Sequence, residues 1–224
     1  MGIMPSRVLD GEIGVGPPVE IDEIRTKPER DILLITGDGA GLFDDLEAFL
    51  NLDPPPFDTM CINYSATVCP WKFQHFVAGD SHMPDMQAVA KQVNGAVKHC
   101  WNPNSTGFDI RWLRNMQSGW NGTTGNLAIQ IGIALDYIKI VLAGCPMDES
   151  GNWYSASLKN NDVKKDKHHE SHLWKWTEIS LRPKAHFIRS MSGNTANLFG
   201  IPDRDWLLNI RREAQEKEIT NATD

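Results

Sequence analysis

Residues 31–46 read DILLITGDGAGLFDDL: an apolar run, a loop with three glycines in five residues, then an acidic amphipathic segment. Asp31 to Thr36 has the length and composition of a short buried strand, and GDGAG follows it at once. Leu42, Leu46, Phe49 and Leu50 then recur at helical spacing, so the stretch reads as strand, glycine turn, helix. Two readings of the turn stay open. Glycines let a phosphate approach backbone N–H groups at a helix N-terminus, where the dipole favours an anion. The spelling is neither the dinucleotide fingerprint, because Leu42 occupies its sixth position, nor a P-loop, because no Gly-Lys-Ser/Thr follows. Asp38, Asp44, Asp45 and Glu47 also repel phosphate unless a cation intervenes. The other reading is a plain tight connection.

Working outward, the same alternation continues. TMCINYSA (59–66) and WKFQHFVAGD (71–80) read as strands, MPDMQAVAKQVNGAV (83–97) as a helix, and the region of AVKHCWNP (96–103) as a further strand. LAIQIGIALDY (127–137) has Leu127, Ile131, Ala134 and Leu135 at helical spacing. IKIVLAG (138–144), nearly all apolar and rich in β-branched residues, has the pattern of a strand inside a parallel sheet. A helix over Lys167 to Ile179, a last strand in KAHFIRSMS (184–192) and a charged terminal helix in DRDWLLNIRREAQEKE (203–218) complete the pattern. Strands alternating with helices imply an α/β fold with a mainly parallel sheet. Residues 1–29, rich in Gly, Pro and charge, read as a loosely ordered arm, residues 30–208 as the domain, and 209–224 as a charged helix or tail.

Composition narrows the function. A chain of 224 residues with 41% hydrophobic content buries a full core as one domain. A net charge of -7 argues against broad affinity for nucleic-acid phosphates and makes a small molecule or a protein the expected partner. No apolar run approaches the roughly 20 residues of a membrane span, and MGIMPSRVLDGE lacks the apolar core of a signal peptide, so the expected compartment is the cytoplasm. Cys61, Cys69, Cys100 and Cys145 are scattered without a CxxC and read as reduced thiols.

In parallel sheets, ligands sit at the carboxyl ends of strands, which directs attention to the loops there. Thr123, Thr124, Gly125 and Asn126 fall at a helix N-terminus, where they either clamp an anionic group or simply cap the helix. The run KDKHHESHLWKW offers His168, His169 and His172. A histidine titrating near neutrality can take a proton from an acceptor hydroxyl, whereas the plain reading is a solvated helix start. No HExxH and no evident third ligand accompany these histidines, so no metal site is assigned. Trp120 and Trp153 flank the same loops as candidates for stacking on a sugar or base, and Arg189, beside the Ser190 to Asn194 turn, as a bidentate phosphate contact.

Taken together, ILLITGDGAGL, a strand ending at Asn63, TTGNLAIQIGIALDYIKIVLAGCPMD and FIRSMSGNTANLFG resemble a Rossmann-like superfamily. Its members include small bacterial sialyltransferases that use CMP-sugar donors and 6-hydroxymethylpterin diphosphokinase-like proteins. GCPMD with RSMSGNTANLFGIPDRDWL resembles more closely a set of phage and prophage proteins, whose setting is the host cytoplasm. The resemblance implies a three-layer fold and a nucleotide-dependent transferase, most directly a glycosyltransferase with a nucleotide-sugar donor. Gly37, Asp38 and Gly39 stand where the sialyltransferases carry Gly-Asn-Gly, with Asp38 replacing the asparagine and Gly41 the serine further on. Asn63 matches an asparagine implied to contact the nucleotide, Thr124 and Gly125 a Ser/Thr-Gly pair near the donor, and Asp148 an aspartate after a strand. Tyr154 falls in the region of phosphate-binding tyrosines, and His168 or His169 near the catalytic histidine. Mg²⁺ is possible but not required by glycosyl transfer; a diphosphokinase would need it, with Asp38 and Asp148 as ligands. The alternative is a noncatalytic accessory protein that binds a nucleotide or a host protein. A homo-oligomer is compatible with either.

Overall fold

The computed structural model describes residues 13–15, 30–102, 105–114, 123–154 and 168–209. Its centre is the opening stretch. Ile32–Thr36 (β2) is buried along its whole length because parallel neighbours flank it on both sides and helices cover both of its faces. The neighbours are Phe57–Ile62 (β3) and Lys139–Ala143 (β7), in registers that set Ile35 beside Met60 and Leu142. Beyond β3 follow His75–Ala78 (β4), Val97–Cys100 (β5) and Ile110–Arg114 (β6), and beyond β7 lies Ile188–Ser190 (β8). All seven run parallel. Ile13–Val15 (β1) adds an antiparallel strand on the free edge of β6, placing three residues of the N-terminal stretch on the sheet. The order β1-β6-β5-β4-β3-β2-β7-β8 reverses direction between β2 and β7, which makes their carboxyl ends the switch point of the sheet.

Residue parity decides which helix each strand face meets. Leu33, Ile35, Met60, Ile62, Val77, Ile140 and Leu142 face Thr124–Ala134 (α3), His168–Ser180 (α4) and Gly193–Phe199 (α5). Ile32, Leu34, Val141 and Ala143 face Leu42–Asn51 (α1) and Arg204–Leu208 (α6). On that same side, Phe76 and Ala78 pack on Pro84–Gln92 (α2). The result is a three-layer α/β Rossmann-like architecture: the alternation implied the parallel α/β sheet, and the resemblance implied the three layers. No described helix is long and apolar enough to cross a membrane.

Several boundaries differ from the sequence reading for local reasons. β3 stops at Ile62 because Asn63 takes a left-handed backbone, φ 49, and opens a 3-10 turn over Asn63–Thr67 instead of continuing to residue 66. β4 begins at His75, since Trp71 Nε1 and Gln74 tie the preceding loop to Thr59. The last strand is confined to three residues by a 3-10 turn over Pro183–Phe187, whose proline fixes its first residue. β6 and α5 have no counterpart in the sequence reading. Trp120 and residues 210–224 of the expected tail lie outside the described residues.

Candidate functional site

The glycine turn is built for close approach between two strands. Its amides are already engaged: Gly37 donates to the Ala143 carbonyl at 2.8 Å, Gly39 to the Gly144 carbonyl at 2.7 Å, and Ala40 to the Gly151 carbonyl at 2.9 Å. A side chain at Gly39 would meet Pro146 Cδ at 2.4 Å. Gly144, with φ 65, takes a conformation few other residues tolerate. Asp45 completes the junction. It is buried at an apolar position of the α1 stripe and accepts the Gly144 amide and the Ser192 hydroxyl, both at 2.7 Å. Burial raises its carboxyl above the ordinary value while those two donors hold it down.

Asp38 is the one charged residue of the turn that points into the fold. Its Oδ2 accepts the Tyr64 amide at 3.4 Å, and its Oδ1 is enclosed with no hydrogen-bond partner. Desolvation lifts its pKa to about 7, against the opposing effects of the Tyr64 and Ser65 amides and the nearby Trp153 indole. The exit loop of β7 folds back here: Trp153 donates its amide to the Asp38 carbonyl at 2.9 Å, and Gly39 bridges Asn152. Tyr154 follows, its ring 5.1 Å from that of Tyr64 and its hydroxyl accepting from Asn152 Nδ2 at 2.9 Å. Tyr64 is held in turn by Asp85 through its hydroxyl.

Asn63 stands beside Tyr64, and its Oδ1 is likewise buried and unpartnered. On the other side of the sheet, α3 starts at this same carboxyl edge, capped by the Thr123 hydroxyl, which accepts the Asn126 amide. Thr124 Oγ1 accepts the Gly79 amide at 3.2 Å, fastening the helix start to the exit of β4. Gly125 lies under the Trp176 ring, where a Cβ would approach Cζ2 to 2.8 Å. Asn126 is fully buried with neither side-chain polar atom paired, and the buried Trp176 Nε1 also lacks a partner.

The sequence candidates therefore separate. Gly37, Asp38, Gly39, Asn63 and Tyr154 come together around the ends of β2 and β3, while Thr124 and Gly125 form the start of α3 on the same edge. Asp148 accepts the Ser150 amide at 2.8 Å and shapes its own loop. The helix between β7 and β8, α4, opens with His168 and His169. Their side chains lie outside the described residues. Arg189, expected to contact phosphate, instead donates to the carbonyls of Ile188 at 2.9 Å and Phe199 at 2.8 Å and lies against Trp206. Sequence reasoning missed Asp45, Tyr64 and Trp176. Only Asp45 left a trace, as an acid inside the stripe Leu42, Leu46, Phe49.

No protein-family model, curated protein or solved structure matches the chain. Its class rests on the fold: a Rossmann-like α/β protein with a polar carboxyl edge at the switch point.

Proposed function

We propose that the protein is a nucleotide-dependent transferase, of the glycosyl-transfer type, that takes a nucleotide-sugar donor at this edge. One observation supports the reading above the others: Asp38 Oδ1, Asn63 Oδ1 and both polar atoms of Asn126 are buried without partners where α/β folds hold ligands. Each such atom costs about 1–3 kcal/mol unless a ligand or water satisfies it. Asp38 and Asn63 suit the hydroxyls and ring nitrogens of a nucleoside, and the start of α3 at Thr124 and Gly125 suits its phosphate.

In the transfer, His168 or His169 removes the proton of an acceptor hydroxyl. The acceptor oxygen bonds to the anomeric carbon, and the nucleotide leaves with the electron pair of the broken glycosidic bond. Mg²⁺-dependent diphosphoryl transfer has less support. Asp148, the other acid such a reaction would use, accepts the Ser150 amide of its own loop at 2.8 Å. A noncatalytic nucleotide-binding module remains the second reading, favoured by the engaged amides of Gly37, Gly39 and Ala40.

A thermal-shift screen with CMP, UDP, GDP, ATP and their sugar conjugates, with and without Mg²⁺, tests the proposal. Selective stabilisation by one nucleotide class supports it, and silence across the panel overturns it.

A further inference from the structure

Five buried side chains form one continuous hydrogen-bonded chain across the sheet. Trp112 Nε1 of β6 donates to His99 Nδ1 of β5 at 3.1 Å, and His99 Nε2 meets His75 Nδ1 of β4 at 3.1 Å. His75 Nε2 meets the Tyr137 hydroxyl at 3.1 Å, and that hydroxyl donates to Asp58 Oδ2 of β3 at 2.9 Å. His99 and Asp58 are 0% and 3% exposed.

The two ends fix the direction of every bond. An indole N–H can only donate, so His99 Nδ1 accepts and its proton sits on Nε2. His75 Nδ1 therefore accepts in turn, and His75 Nε2 donates to Tyr137, whose own proton goes to the Asp58 carboxylate. The chain cannot conduct protons, because the Trp112 indole N–H does not ionise. It has room for no more either. A second proton on either histidine must leave two donors facing each other, either between His75 Nδ1 and His99 Nε2 or between Trp112 Nε1 and His99 Nδ1.

We propose that this chain is an acid-sensitive latch: uptake of one proton by His75 or His99 breaks it and loosens β4, β5 and β6 from β3. The groups facing the histidines are Asp58 from β3, Tyr137 from the turn before β7 and Trp112 from β6, while α3 contributes apolar side chains to this core. Burial holds His75 neutral down to about pH 4 and, with His75 beside it, pushes His99 well below its usual value. The unfolded chain, by contrast, takes up protons near 6.5. A depressed histidine pKa means that stability is complete above 6.5 and is lost as pH falls towards 4. For His75 alone the unfolding equilibrium constant rises about 100-fold over that window. β4 also carries Gly79, whose amide holds Thr124, so opening reaches the start of α3.

Three measurements on the full chain decide the matter. Imidazole nitrogen NMR at pH 7.5 should find both histidines as Nε2–H tautomers; either one as Nδ1–H or as a cation overturns the proposal. Hydrogen exchange from pH 7.5 to 4.5, corrected for intrinsic rates, should show amides of β4 to β6 losing protection before those of β2 and β7. Trp112→Phe, which removes the obligate donor, should cut the acid-induced change in the unfolding constant to about tenfold or less. Uniform exchange across the sheet, or unchanged acid sensitivity in Trp112→Phe, overturns it.

Discussion

The Gly39 amide donates to the Gly144 carbonyl at 2.7 Å, so the turn after β2 is joined to the exit of β7 at the point where the sheet reverses. The glycines of this turn serve strand-to-strand approach, whereas Asp38, Asn63 and Asn126 carry buried polar atoms without partners at the same edge.

Gly39→Ala should therefore damage the fold. Its Cβ would lie 2.8 Å from the Gly144 carbonyl oxygen and 2.4 Å from Pro146 Cδ, and neither backbone nor ring can move away cheaply. A loss of about 2–3 kcal/mol in urea unfolding is expected.

Asp38→Asn should change the pH dependence of stability. The Asp38 pKa is raised from 3.8 to about 7, so its contribution is complete below 3.8 and is lost as pH rises through 7. The amide cannot ionise. The variant should match the parent at pH 3.5 and exceed it by roughly 4 kcal/mol at pH 8.5 in parallel denaturant titrations.

Asn126→Leu should separate stability from function. With neither amide atom paired, replacing the side chain by an apolar one of similar size removes a desolvation cost. The free protein should gain about 1 kcal/mol while losing ligand-induced stabilisation, as read by thermal shift.

His168→Ala and His169→Ala address the proposed base. One of them should abolish transfer while leaving donor binding within about twofold, because the base acts on the acceptor. Full activity in both variants removes these histidines from the mechanism.

Much of the fold was legible because β2 and β7 are continuous apolar runs and α1 and α3 carry clear spacing. β6 escaped because Arg111 and Arg114 interrupt IRWLR, a pattern that only pairing with β5 makes a strand. α5 escaped because SGNTANLF has turn composition, and its Thr195 hydroxyl donates to the Cys145 carbonyl 50 positions away. The site was legible as a set of loops, since strand ends carry polar residues in sequence. The assignments within it were not. Whether a glycine amide is free, or an aspartate faces inward, depends on contacts such as Gly39 with Gly144 and Asp38 with Tyr64 that no local pattern records.

The central claim is that the carboxyl edge binds a nucleotide, and calorimetric titration of the parent, Asn63→Ala and Asn126→Leu with the nucleotide and nucleotide-sugar panel tests it most directly. The account predicts saturable binding of one nucleotide class to the parent and at least tenfold weaker binding to both variants, a loss of about 1.4 kcal/mol or more in each. Absence of binding by every member of the panel, or equal affinity in all three proteins, would contradict it.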